Sequence, residues 1–209
     1  MIAVIDMGMG NLQSVCWACK HIGAPVTVAS EPKVLEAAQA LILPGVGAFG
    51  DGMRNLRHRG FVEVICRQVK AGKPLLGICL GMQLLAEEGE EYGVHQGLGL
   101  IHGRVVRLTA SGTGERVPNI GWCDVTITNP ASMLFANIPS GSSFYFAHSY
   151  YVACEHGADV TATIAFGSIT PPAAIQHGNV YGVQFHPEKS QDVGLELLYN
   201  FWRRATHNS

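Results

Sequence analysis

The stretch Lys73-Pro74-Leu75-Leu76-Gly77-Ile78-Cys79-Leu80-Gly81-Met82-Gln83-Leu84-Leu85-Ala86-Glu87-Glu88 decides how this chain folds. The apolar run before Cys79 predicts a strand over 74–78. The run after it is rich in strong helix formers and predicts a helix over 81–88. Between them lies a sharp turn with a thiol at its tip. Gly77 and Gly81 flank that thiol, which makes a Gly-x-nucleophile-x-Gly elbow with Cys in place of Ser. Such an elbow holds its central residue in a strained backbone conformation, and its glycines avoid collisions that side chains would make. A helix opening at the thiol would also present the positive end of its macrodipole, which favours thiolate. A buried cysteine in a turn can be simple packing. A packing cysteine does not need both glycines, so Cys79 reads as a nucleophile.

Outward from the elbow, strands alternate with helices. Strands are predicted at 2–6, 25–28 and 40–43. Helices are predicted at 11–21, 34–38 and, broken at Gly60, across 51–71. This pattern implies βαβ units and a mostly parallel central sheet flanked by helices. The second half changes character. Strands are predicted at 103–108, 121–128, 143–147, 150–153, 162–166, 173–177 and 180–184, several joined by tight polar turns such as His177-Gly178-Asn179. That is a β-rich extension, antiparallel or mixed, closed by an amphipathic helix over 193–204. The expected object is an α/β chain forming a single domain, 1–209.

A base and a carboxylate stand two positions apart in Phe185-His186-Pro187-Glu188. A lone His after a strand is often structural, and the pair could be a surface turn at Pro187. Here the 180–184 strand delivers them to a sheet end, where α/β sheets gather their ligand sites. A carboxylate at Glu188 would orient the His186 imidazole, which would take the proton of Cys79. Cys, His and Glu in that order point to covalent acyl transfer. Leu43-Pro44-Gly45-Val46-Gly47-Ala48-Phe49-Gly50 follows a third strand. Beside such a nucleophile its backbone N–H groups read as an oxyanion hole rather than a plain turn. Gly8-Met9-Gly10-Asn11-Leu12 lacks the third glycine of a dinucleotide fingerprint, since Gln13 stands there.

Bulk properties exclude several classes. The chain has 209 residues, 47% hydrophobic and 14% charged, with a formal net charge of −2, so a large core is easily built. It has no basic tract to follow a phosphate backbone, which argues against nucleic acid, and no apolar run of the ~20 residues a membrane span needs. The opening Met1-Ile2-Ala3-Val4-Ile5-Asp6 reads as a first strand rather than a signal peptide, which places the chain in the cytoplasm. The six cysteines are scattered, and disulfides are not expected. Cys16 and Cys19 form a C-x-x-C inside a predicted helix, so they read as packing residues rather than a redox pair. The nine histidines show no metal-ligand spacing, so no metal and no cofactor is expected.

Pro44-Gly45-Val46-Gly47, Gly77-Ile78-Cys79-Leu80-Gly81-Met82-Gln83, His148-Ser149-Tyr150 and Gly182 to Ser190 together resemble the class I (triad) glutamine amidotransferases, over the whole chain. Within that class the chain is similar to the glutaminase subunits of imidazole glycerol phosphate synthases, from histidine biosynthesis. The resemblance implies that Cys79 attacks the side-chain amide of L-glutamine, with His186 as base and acid and Glu188 orienting it. It implies an oxyanion hole from the N–H groups of Val46 and Leu80. Gly47, Gln83, Glu91, Ser149 and Tyr150 fall where the family holds glutamine. Ammonia would pass to a (β/α)8-barrel synthase partner in a heterodimer, and Asn11, Trp122 and Lys189 match positions facing it. The family's usual Pro-His-Met-Gly-Trp-Asn is here Pro118-Asn119-Ile120-Gly121-Trp122-Cys123, and Met7 replaces a Tyr. These departures are expected at the partner face. They keep open a related subunit that feeds a sugar-amidinating synthase. A free-standing cysteine hydrolase and a non-catalytic binding subunit are the readings from other classes.

Overall fold

A computed structural model describes residues 1–110 and 115–206. The chain opens with β1 (Ile2–Ile5), α1 (Leu12–His21), β2 (Val26–Ala29), α2 (Val34–Ala37) and β3 (Ala40–Gly45). Two helices follow, α3 (Phe49–His58) and α4 (Phe61–Lys70), separated at Gly60, whose φ of 71° ends one helix and admits the next. Then come β4 (Leu75–Cys79), α5 (Leu80–Gln83), β5 (Ala86–Gly89), β6 (His95–Gln96), β7 (Ile101–Arg107), β8 (Asn119–Ile127), β9 (Ser142–His148), β10 (Tyr150–Cys154), β11 (Val160–Thr163), β12 (Pro172–His177), β13 (Val180–Val183) and α6 (Gln191–Thr206).

One nine-stranded sheet runs β2-β1-β3-β4-β13-β12-β11-β8-β9. The pairings from β2 to β13 are parallel. Those from β13 to β9 are antiparallel. The β-rich second half therefore extends the parallel sheet rather than standing apart from it. A four-stranded sheet, β10-β7-β5-β6, adds the remainder.

Both faces of β1, β3, β4 and β13 are buried, as their continuous apolar runs require, while the edge strand β2 is partly open. Ile2 and Val4 of β1 pack with Val15, Ala18 and Cys19 of α1 and Leu197, Leu198 and Phe201 of α6. Ala3 and Ile5, with the opposite parity, pack with Phe49, Met53 and Leu56 of α3 and Phe61 and Ile65 of α4. Burial pushes the Cys19 thiol up to about 12, with Cys16 nearby adding to it, as expected of packing cysteines. All six cysteines are free.

The helix expected over 81–88 fails, and the strand expected over 162–166 is found earlier, as β11. α5 is a single turn, and the chain then becomes β5. Leu, Ala and Glu favour helix locally, but Glu88 and Gly89 are claimed by pairing with β6 and β7. Gly97 makes that approach possible, because a Cβ there would lie 2.0 Å from the Ala86 carbonyl oxygen. Tertiary pairing overrides propensity here. A single turn carries little macrodipole, so that argument for a thiolate at Cys79 falls away.

Candidate active site

Cys79 ends β4 and opens α5 with φ 54° and ψ −112°. For a non-glycine residue this is a strained conformation, costing about 1–3 kcal/mol, and the surroundings must enforce it. The two glycines show how. A Cβ on Gly77 would lie 2.6 Å from the Gly81 carbonyl oxygen and 2.7 Å from the Met82 Cα. A Cβ on Gly81 would lie 1.7 Å from the Leu43 carbonyl oxygen. Gly77 thus lets the elbow close on itself, and Gly81 lets it press against β3.

His186 and Glu188 follow β13, which lies beside β4 in register, Val183 opposite Ile78. The His186 backbone is fixed twice. Its N–H donates to the Tyr145 carbonyl at 2.9 Å, and its carbonyl accepts from the Ser190 hydroxyl at 2.7 Å. Its Nδ1 lies 2.9 Å from Glu188 Oε1, and both side chains are buried. Burial alone would depress the imidazole. Hydrogen bonding to Cys79 and to Glu188 more than offsets it and raises the pKa to about 9. The structure therefore brings Cys79, His186 and Glu188 together, with the imidazole between thiol and carboxylate.

Cys79, Leu80 and His186 line a cleft of about 510 Å³. Val46, Gly47, Gln83, Glu91, Ser149, Tyr150 and Lys189 line it too. Leu80 heads α5, so its N–H has no acceptor within that helix. Val46 is half exposed, and Gly47 beside it has φ 118°. Glu91 accepts from the Phe49 N–H at 2.9 Å, which ties the loop carrying Val46 and Gly47 to the far wall of the cleft. Gln83 spends its side-chain nitrogen inside the protein, on the Tyr150 carbonyl at 2.9 Å and on Gln184 Oε1 at 3.1 Å.

The three residues expected at a partner face divide. Trp122 is half exposed and meets the Tyr145 ring edge-on at 6.0 Å, while Lys189 Nζ sits over the same ring at 5.7 Å. Asn11 is exposed, and its side chain caps α1 by accepting from the Ser14 N–H at 3.2 Å. Asn11 and Lys189 meet again around a small cavity of about 20 Å³ beside Glu188. Met7 does not reach the surface. It is fully buried beneath Gly45, where a Cβ would strike its methyl group. Gly10 likewise abuts the backbone of Gly45, so Gly8-Met9-Gly10 is a support for the Val46 loop.

Three residues of the site lie in the sequence motifs without a role assigned to them. Ser190 pins His186, and Gln184 reaches Cys79. His148 lines the cleft with Nδ1 2.8 Å from the Tyr150 carbonyl and Nε2 3.2 Å from Asn119 Nδ2. Burial drives the His148 pKa down to about 4, against that backbone hydrogen bond and helped by nearby His186. Gln184 and Ser190 stand inside the Gly182 to Ser190 motif and His148 opens His148-Ser149-Tyr150, but a polar residue in a motif does not by itself disclose what it touches. Among the described residues, no group of three His, Cys, Asp or Glu side chains could hold a metal ion.

A family model described as glutamine amidotransferase class-I matches residues 3–205. The chain belongs to the class-I glutamine amidotransferase family. It is similar to the imidazole glycerol phosphate synthase subunit HisH of Syntrophotalea carbinolica, at 50% identity over 96% of this chain and 98% of that one. The HisH subunit of Moorella thermoacetica is 48% identical over 99% of this chain and 96% of its own. Among solved structures, PurLQS from Thermotoga maritima has a TM-score of 0.76 at 18% identity, covering 97% of each chain. A crystal structure of a glutamine amidotransferase has 0.75 at 21%, covering 96% of this chain and 97% of that one. These last two likenesses speak to fold, and they agree with the sheet described above.

Proposed function

We propose that this site hydrolyses L-glutamine through a thioester on Cys79. The chain's activity is that of the glutaminase subunit of imidazole glycerol phosphate synthase. The observation that carries the site assignment is the strained Cys79 elbow facing a buried His186–Glu188 pair. His186 takes the thiol proton, and the sulfur attacks the amide carbon. Charge builds on the amide oxygen, where the N–H groups of Leu80 and Val46 receive it. The C–N bond breaks as His186 returns the proton to the leaving nitrogen, giving ammonia. Water then attacks the thioester, its proton passing to His186 and on to the departing sulfur, and glutamate leaves.

Glutamine lies along the cleft between Gly47, Glu91, Ser149 and Tyr150. The committed nitrogen of Gln83 leaves its Oε1 as the group to meet the substrate. Residues 1–209 act as one amidotransferase domain, a reading supported by the single family match across 3–205. The ammonia acceptor is a cyclase subunit, which we take to be a (β/α)8 barrel. It docks on the face bearing Trp122, Lys189 and Asn11, supported by the exposed Ile120 and Trp122 near the cleft. The glycines on either side of Val46 make its peptide a device by which docking completes the oxyanion hole. The HisH similarity favours the histidine-pathway partner over a sugar-amidinating one.

The test is reconstitution with the cyclase subunit. Cys79→Ala and His186→Ala should each abolish glutamine-dependent synthesis and spare synthesis driven by free ammonium. Glutamine-dependent turnover in Cys79→Ala would overturn the assignment.

A further inference from the structure

We propose that Gln184 is a further catalytic residue: its side-chain amide donates to the Cys79 sulfur and stabilises the thiolate that attacks glutamine. The proposal rests on Cys79 being the nucleophile. Gln184 follows β13, is fully buried, and its backbone N–H is held by the Ala173 carbonyl at 2.9 Å. Its Nε2 lies 3.8 Å from Cys79 Sγ, and its Oε1 accepts from Gln83 Nε2 at 3.1 Å.

The orientation of this amide follows from its neighbours. The Tyr150 carbonyl can only accept, and Gln83 Nε2 lies 2.9 Å from it. The nitrogen of Gln83 is therefore on the side shared by Tyr150 and Gln184. The oxygen of Gln184 must face that nitrogen, and its own nitrogen then faces the sulfur. Turned over, Gln184 would set two NH2 groups against each other and press its oxygen on the sulfur. Buried amides do not settle that way.

The chemistry of the contact is differential. A thiol sulfur is a weak acceptor, while an N–H to an anion is a charge-assisted bond about twice as strong as a neutral one. Gln184 thus favours the thiolate over the thiol. The site has use for such a donor, because α5 is one turn long and brings little macrodipole to Cys79. His186 supplies the place for the proton, and Gln184 supplies a partner for the charge left behind.

Two variants separate this role from simple support of Gln83. Gln184→Glu keeps an acceptor for Gln83 but sets a carboxylate in place of the donor, so it removes the donor and adds a charge that opposes the thiolate. Gln184→Met removes both. In the full chain, the rate of Cys79 alkylation by iodoacetamide is followed against pH by peptide mapping. kcat and KM for glutamine are measured with the cyclase subunit present. Both variants should move the alkylation inflection upward by about one pH unit and lower kcat about tenfold, with KM changed much less. A wild-type inflection and kcat in Gln184→Glu would overturn the proposal. Impairment confined to Gln184→Met would also overturn it, because it would assign the effect to the anchoring of Gln83. Cys79→Ala, run alongside, keeps the two readings apart. If it still turns over glutamine, the nucleophile assignment fails. If it is inactive while Gln184→Glu behaves as wild type, only the role of Gln184 fails.

Discussion

Adding one methyl group at Gly81 tests the elbow more sharply than deleting its thiol. The Cβ of Gly81→Ala would sit 1.7 Å from the Leu43 carbonyl oxygen, and real Cβ atoms essentially never come within 3.0 Å of another heavy atom. That oxygen belongs to β3, which is paired with β4 from Leu41 to Gly45, so it cannot swing aside like a side-chain end. The elbow and β3 must part by more than ~1 Å, at the turn that aims Cys79. A displacement of about 1 Å in a reacting group costs roughly 10²-fold in rate. Overpacking of this kind costs about 1–3 kcal/mol of stability, or several degrees in Tm for a chain of this size. Gly77→Ala makes a milder clash, 2.6 Å to the Gly81 carbonyl oxygen, and should be impaired less. Gly157→Ala, with nothing within 4 Å of its Cβ, is the neutral control. The assay is steady-state glutaminase kinetics with the cyclase subunit present, together with thermal melting of each variant. A Gly81→Ala enzyme with wild-type kcat/KM would refute the claim that this glycine sets the position of the nucleophile.

Two further outcomes are expected. Stability should fall on both sides of about pH 6.5, for opposite reasons. His148, held near 4 in the fold, stays neutral while its unfolded form protonates, so its contribution of up to about 3 kcal/mol is present above ~6.5 and lost as pH falls toward 4. His186, held near 9, contributes below ~6.5 and loses that contribution as pH rises through 9. Melting midpoints across pH check this, and an acid limb unchanged in His148→Gln would contradict the first half. Trp122→Ala should weaken the cyclase complex by a factor of ~30 or uncouple ammonia transfer, as loss of an aromatic anchor typically costs 2 kcal/mol or more. Titration against the cyclase subunit, with product per glutamine consumed, reads both, and no change in either would mean that Trp122 is not at the docking face.

How much of this was legible in the sequence depends on the range of the interaction. The elbow was legible because Gly77, Cys79 and Gly81 lie within five residues, and local sterics set their conformation. The reason for Gly81 was not legible, since the atom it avoids belongs to Leu43 on another strand. The parallel half was legible because α1, α3 and α4 carry helical periodicity between apolar strands. β5 was hidden, because Ala86–Gly89 is helix-prone by composition and becomes a strand only through partners at β6 and β7. His186 and Glu188 announce themselves two residues apart. Gln184 does not, since the sulfur it meets is 105 residues away. Met7 shows the converse error: a departure expected at the partner face proves to be a buried support for Gly45.

The most direct test of the central claim is to treat the chain, with its cyclase subunit, with an electrophilic analogue of glutamine and map the adduct by peptide mass. Six free cysteines compete for it. One adduct per chain is expected, on Cys79, with glutamine protecting against it and His186→Ala slowing it strongly. Labelling that spares Cys79, or that falls equally on Cys16 or Cys19, would contradict the assignment of Cys79 as the nucleophile.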